Sequence, residues 1–369
     1  MADSSLVHSL LEDIAVRQVS ADGFFRAGAF PSTRIHATRP GLSRSDNNIF
    51  FTGLIGLGLR DLQKDLRGPD RALCDSILER MRPAIGFYRN ASGRLTYNFW
   101  QTDPPLIFPG DPLLRYLDRS HALPDDLDDT AILLLALGRG DSTQVVKWLM
   151  EAHANGRSGI EHRSYRRYRK AGAYSTWFGK RMPVDFDFSV LCNVLYWVCA
   201  NHLAFSAVDS ATVDLIRDMA VRELPVKDPA YVSPHYARTP ILLYHIGRLL
   251  ARFSIPALDT LRPLLIREAR TALAKADDPM DRVLLSTTLL RLGAPDVPPV
   301  ALGSVDEADP GFVFFIASFS DYFRNPFRRV FLHTRFIRYE FQCVAYNRFL
   351  LLEYLVLRET SARPIHTGV

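Results

Sequence analysis

The residues of this chain whose types and spacing could do chemistry stand together in the stretch PDDLDDTAILLLALG, from Pro124 to Gly138. There Asp125, Asp126, Asp128 and Asp129 lie directly ahead of an apolar helix. One or two Asp residues at a helix start need no chemistry. Asp is a preferred N-cap, and a negative charge in the first turn gains about 0.3–1 kcal/mol from the helix dipole. Four carboxylates repel one another, and each one beyond the cap costs more than it returns unless solvent, a cation or a shared proton relieves it. In open water the crowding is cheap, and the run is then a cap and nothing more. Buried at the mouth of a cavity, the same groups cannot all ionise near neutral pH. They titrate as a unit, and at least one keeps its proton and becomes a general acid. Such an acid protonates even an alkene if aromatic faces stabilise the cation that forms.

Helical periodicity runs through the whole chain and period-two strands are nearly absent, which predicts an all-α fold. Helices apolar nearly all round start near Asn48, Asp129, Asp187, Thr239, Asp281 and Gln342. More amphipathic ones fall between them at Asp70 to Met81, Ser142 to Ala154, Ser210 to Glu223, Ala257 to Lys275 and Gly311 to Phe323, with Ser5 to Val19 as the first. The first set belongs inside and the second outside. About six such hairpins predict a single α/α toroid over residues 1–369, with 1–30 as an N-terminal helix and lead-in and 359–369 as a flexible tail. In a toroid the inner helices all start at one mouth. Asp46, Asn47, Asn48, Asp125 to Asp129, Asp185, Asp187, His235, Tyr236, Asp281 and Tyr339 to Gln342 should therefore converge. Aromatic residues precede several of these starts, as in TYNFW (Tyr97, Phe99, Trp100) and YSTWF (Tyr174, Trp177, Phe178).

Asp126-Leu127-Asp128-Asp129-Thr130-Ala131 resembles the DxDD signature, often continued as DxDDTA, of class II terpene cyclases, the group that includes squalene-hopene cyclases and copalyl diphosphate synthases. The resemblance implies an α/α barrel and a protonation-initiated cyclisation of a polyprenyl, isoprenoid substrate. It makes Asp128 the proton donor and Asp126 and Asp129 the groups that tune it. It also implies an aromatic cavity wall, for which Phe99, Trp100, Trp177 and Phe178 are the candidates. Asn48, Asp185, Asp187 and Tyr236 join them from the shared mouth. The chain is long enough for about one large barrel, where the family has two or three helical domains, and it carries no QW repeats.

The same letters admit other readings. Asp125 to Asp129 and Asp277 to Asp281 both fit DDxxD, the magnesium-binding pattern of class I terpene synthases, although no NDxxSxxxE motif accompanies them. Asp185 or Asp187 paired with the Asp126 group would suit an α/α-barrel glycosidase, which needs a polar cavity wall. A toroid that binds a lipid or protein without catalysis would use the Asp run only as cap and rim. His121, His235 and His245 have no metal-ligand spacing, which favours structural or surface roles. P-loop, dinucleotide-binding and nucleophile-elbow motifs are absent from the sequence.

Composition bounds the rest. The chain has 47% hydrophobic and 23% charged residues, and 45 basic against 40 acidic side chains leave a net charge of +5, too small an excess to predict nucleic-acid binding. The excess is local: His162 to Lys170 (HRSYRRYRK) concentrates Arg163, Arg166, Arg167, Arg169 and Lys170. These groups suit a diphosphate head, with Mg²⁺ assisting, or an anionic membrane surface. Cys74, Cys192, Cys199 and Cys343 make no CxxC pair, so neither zinc nor a disulfide framework is expected and a reduced, cytoplasmic chain fits. The acidic, amphipathic N-terminus is unlike a secretory signal, and no apolar run reaches membrane-spanning length.

Overall fold

The computed structural model describes residues 2–106, 123–138, 140, 142–178, 182–301 and 311–362. His121 and most of the expected C-terminal tail lie outside the described residues. In chain order the elements begin with α1 (Ala2–Arg17), β1 (Ser32–His36), β2 (Arg39–Asp46), α2 (Phe50–Leu62), α3 (Gly68–Gly86), α4 (Leu127–Leu137), α5 (Thr143–Ala152), α6 (Phe188–Ala200) and α7 (Ala207–Val221). They continue with the short α8 (Leu224–Lys227) and α9 (Pro229–Val232), then α10 (Thr239–Arg252), α11 (Pro256–Asp259), α12 (Arg262–Leu273), α13 (Pro279–Arg291), β3 (Phe315–Ser318), α14 (Phe327–Phe331), β4 (Arg338–Gln342) and α15 (Val344–Ala362).

Local chemistry sets these boundaries. Asp126 caps α4 from an extended backbone, its side chain accepting the Asp129 N–H, and Gly138 ends the helix in the left-handed conformation (φ 63°), where glycine carries no Cβ penalty. Asp187 caps α6 in the same way, accepting from the Ser189 and Val190 N–H groups. A reciprocal capping box of Ser206 and Asp209 starts α7. Nearly every residue of α2, α4 and α6 is buried, whereas α5, α7 and α12 bury one stripe, as their amphipathic sequences dictate.

The buried helices pack in succession: α2 on α4, α4 on α6, α6 on α10, α10 on α13, α13 on α15, and α15 back on α2. Against them lie α1 and α3 beside α15 and α2, α7 beside α6, and α12 beside α13. Gly58 lets α2 approach α15 closely, because a Cβ there would stand 1.9 Å from the Phe349 ring.

The expectation of an all-α chain holds only in part. Helices dominate, but a four-stranded antiparallel sheet of order β2-β1-β4-β3 is added. Its register pairs Arg34 with Phe341 and Phe315 with Phe341, joining the two ends of the chain, so no local pattern betrays the pairing. The helix expected over Gly311 to Phe323 is instead β3 followed by a 3-10 turn, Phe319–Tyr322. The crowded FVFFI run of aromatic and β-branched residues favours a strand. The expected Ala257 to Lys275 helix is broken into α11 and α12, with Pro256 and Pro263 at their starts.

Candidate active site

Five buried helices bring their N-terminal ends to one pocket, which holds about 660 Å³ of space between atoms, counting the part open to solvent. Phe50 opens α2, the three Asp residues open α4, Val190 lies in the first turn of α6, His235 precedes α10 and Phe341 precedes α15. Phe99 and Trp100 come from the loop before α4, and Trp177 and Met182 from the loop before α6. Phe315, Ala317 and Ser318 come from β3. Backbone bridges tie these loops to the cap, because Asp126 pairs with both Tyr97 and Trp177, and the Leu127 N–H donates to the Thr176 carbonyl at 2.8 Å. The Asp run is thus clamped between the two aromatic loops that precede the helices.

Asp126, Asp128 and Asp129 all line this pocket and are at most 5% exposed. Among the described residues no Lys or Arg forms an ion pair with them. Burial is accordingly the first cause of every pKa shift. It drives Asp126 well above the ordinary carboxylate range, with the neighbouring Asp129 charge adding to the effect. It pushes Asp129 up to about 8. The two carboxyls also act on each other, the interaction raising Asp126 and lowering Asp129, so they titrate as a pair. Asp129 Oδ1 has no hydrogen-bond partner among the described residues.

Asp128 differs from its neighbours. Burial raises it too, but neutral donors oppose the rise: Asn193 Nδ2 donates to Oδ1 at 2.7 Å and the Tyr236 hydroxyl to Oδ2 at 2.5 Å. Tyr236 stays a phenol, because burial and then the Asp128 charge push its own pKa far up. Behind this shell Arg248 Nη2 donates to Asn193 Oδ1 at 2.5 Å, which turns the amide nitrogen toward Asp128. His245, kept neutral by burial, packs edge-on to Tyr236 at 4.6 Å.

The wall is aromatic. Phe315 lies 4.7 Å from Phe50 and 5.4 Å from Phe99 between ring centroids, and it stacks on His235 at 5.8 Å. Trp177 meets His235 edge-on at 5.8 Å. Trp100 is held by its indole N–H, which donates 3.0 Å to Asp46 Oδ1.

Of the residues singled out from sequence, Asp126, Asp128, Asp129, Phe99, Trp100 and Trp177 line the pocket, and Tyr236 bonds directly to Asp128. The others are placed differently. Phe178 packs edge-on against His153 at 5.3 Å, outside the lining, because the strand-like alternation of its loop turns it away from Trp177. Asn48 lies behind the wall, donating to Ser32 Oγ at 2.7 Å and Asp46 Oδ1 at 2.9 Å. Asp187 spends its oxygens on the α6 cap, the Ser233 hydroxyl and the His235 N–H. Burial pushes its carboxyl up to about 6. Asp185 faces buried Arg328 at 3.5 Å. Arg166 and Arg167 are exposed on a 3-10 turn, Arg166–Tyr168, and do not line the pocket. Asp281 pairs with Arg238 instead of joining the mouth.

Sequence reasoning placed Phe341 within the Tyr339 to Gln342 stretch at the mouth, but missed Phe50, Phe315 and Met182 as wall residues and Asn193 as a partner of Asp128. The alternation Tyr339-Glu340-Phe341 was a usable strand signal; Asn193, one buried polar residue in an apolar helix, was another. Comparison of the chain with protein-family models, with curated proteins and with solved structures found no match.

Proposed function

We propose that this chain is a class II terpene cyclase-like enzyme, and that the succession of helices from α2 round to α15 is a single α/α barrel built to hold its acid. The observation that carries the reading is a group of three buried carboxyls with no cationic partner among the described residues, lining a pocket walled by Phe, Trp and Met. Asp128 donates the proton to a terminal double bond of an isoprenoid chain. Burial raises the Asp128 carboxyl and so favours its protonated form, while Tyr236 and Asn193 wait with hydrogen bonds for the conjugate base, so transfer leaves an anion already solvated by the protein. Asp126 and Asp129 share a proton and so place one negative charge beside the donor instead of two. The rings of Phe50, Phe99, Trp100 and Phe315 offer their faces to the carbocation as it moves along the folded chain, and their packing keeps out the water that would quench it.

The other readings find less support. A glycosidase would need hydrogen-bonding groups along its wall and a free second carboxyl, but Asp187 is a saturated cap and Asp185 faces Arg328. In a class I arrangement Asp125 would turn toward the pocket, yet its Oδ2 accepts from Thr96 and Asn90 at 2.5 Å each and Asp125 is not part of the lining. Among the described residues no three His, Cys, Asp or Glu side chains cluster as metal ligands. A non-catalytic lipid-binding toroid accounts for the wall but gives no reason to bury three acids together. Incubation with farnesyl diphosphate, geranylgeranyl diphosphate and squalene, followed by mass analysis of extracts, tests the proposal. A cyclised isomer of unchanged mass is expected from at least one; conversion of none by the folded protein sinks the cyclase reading.

A further inference from the structure

A region beside the acid pocket combines exposed apolar rings with basic charge. β3 leaves the pocket wall at Ser318 and runs through the 3-10 turn into residues 323–337, which contain no Asp or Glu. Phe323, Phe327 and Val330 there are 40%, 62% and 69% exposed. α14 carries Phe327 and Val330 at i and i+3, hence on one side, and buries Arg328 between them in sequence on the other. Arg328 fixes the orientation: its Nη1 donates to the Arg163 carbonyl at 2.8 Å, and Asn325 Nδ2 donates to the Ser164 carbonyl at 2.9 Å. The apolar segment is thereby fastened to the basic loop 162–170. Arg167 and Arg329 both lie over the Tyr165 ring, at 5.7 and 5.6 Å, while Arg166 and Arg324 stand exposed nearby in sequence. The acids around it are engaged: Asp228 by Tyr165 and Arg329, Asp218 by Tyr168 and Arg222, and Glu161 by the Arg163 and Ser164 N–H groups.

Exposed rings among so many arginines call for a partner that is apolar and anionic at once. They suit a boundary at which apolar side chains enter the acyl region and guanidinium groups meet phosphate. No helix among the described residues is long and apolar enough to cross a membrane, so contact here is from one side. We infer that Phe323, Phe327 and Val330, flanked by Arg166, Arg167, Arg324 and Arg329, dock this chain on an anionic phospholipid bilayer. The surface continues in sequence from the strand that walls the pocket.

Vesicle binding reads this surface without any turnover, so it stands or falls independently of the cyclase proposal. The full chain is sedimented with vesicles of phosphatidylcholine alone or with one third phosphatidylglycerol. Binding should require the anionic lipid and weaken with salt. Each basic group near such a surface contributes about fivefold in partition, so Arg166→Gln with Arg167→Gln should lose about 25-fold. Phe327→Asp with Val330→Asp should lose at least about tenfold while far-ultraviolet circular dichroism stays unchanged. Val16→Asp, at an exposed site on α1, should bind like the parent. Equal binding to neutral vesicles, no binding, an unaffected Phe327→Asp/Val330→Asp variant or an equal loss in Val16→Asp overturns the inference. So does a self-associated chain that this double variant dissolves, which would assign the surface to a second copy.

Discussion

Asp125 to Asp129 and Asp277 to Asp281 share one spacing, and each opens a largely buried helix, α4 and α13. Their surroundings make them chemically different. In the second group Asp277 is exposed, Asp278 caps Met280 through Oδ1 at 2.8 Å, and Asp281 meets the Arg238 guanidinium. Burial raises Asp281 as well, but the Arg238 charge pulls it back down. In the first group the donors facing the carboxyls are a phenol, an amide and backbone N–H groups, all neutral. Burial raises both carboxyls; at Asp281 the guanidinium of Arg238 opposes it directly, whereas at Asp128 the first opposition comes from the Tyr236 and Asn193 hydrogen bonds, with the His235 and Arg248 charges behind them. Spacing alone cannot separate an acid from a surface pair; the nearest cation can.

The contrast breaks first at Asp128. Asp128→Asn keeps volume and loses the donor, so product formation should fall by about 10²–10⁴-fold with the fold retained by circular dichroism. Retained turnover would move the acid elsewhere. Tyr236→Phe removes one of the two hydrogen bonds that await the anion, and kcat should fall by about 10–100-fold with little change in KM. The pH profile sharpens the same point: activity should be flat through neutrality and decline as pH rises toward about 8, where Asp129 gives up its share of the proton. A decline instead on the acid side would mean that an ionised carboxylate is the working form.

Stability offers a gentler probe. The folded Asp129 carboxyl sits at about 8 against an ordinary 3.8, so the folded state holds this proton more tightly than the unfolded chain. The resulting destabilisation is absent below the unfolded value and grows as pH rises through the window up to about 8. Asp129→Asn lifts it. Relative to the parent, this variant should be more stable by about 3–4 kcal/mol more at pH 8 than near pH 5, read from urea unfolding at both pH values. The burial of three acids is a cost the fold carries for its site.

The acids and rings were legible because they are local: DLDD before an apolar run, and TYNFW and YSTWF before helix starts. The sheet was not, since β1 meets β4 across almost the whole chain and β2 exposes nearly every residue, leaving no alternation to read. That hid the part of the wall that β3 supplies, Phe315, Ala317 and Ser318. Asp185 misled for a similar reason. Its position two residues before Asp187 suggested a shared mouth, but its partner Arg328 comes from a segment no local pattern connects to it. Phe178 shows the limit of proximity itself: one residue from Trp177, it turns to the opposite side.

The smallest expected effect is the most direct test of the cation rule. Arg238→Gln strips the Asp277 to Asp281 group of its guanidinium and makes it resemble the α4 group in charge while leaving its position unchanged. Asp281 should then rise further, because burial, its largest perturbation, is no longer opposed. A raised folded carboxyl destabilises increasingly as pH climbs, so the variant should lose more stability near pH 8 than near pH 5. The Arg238 and Asp281 side chains are 33% and 15% exposed, so solvent screens the pair and the loss should be about 1 kcal/mol. Turnover should change little, since neither residue lines the pocket. Equal losses at both pH values would mean that Arg238 acts here through packing on Phe312, at 5.3 Å, and not through charge. The distinction between the two Asp groups would then rest on burial alone.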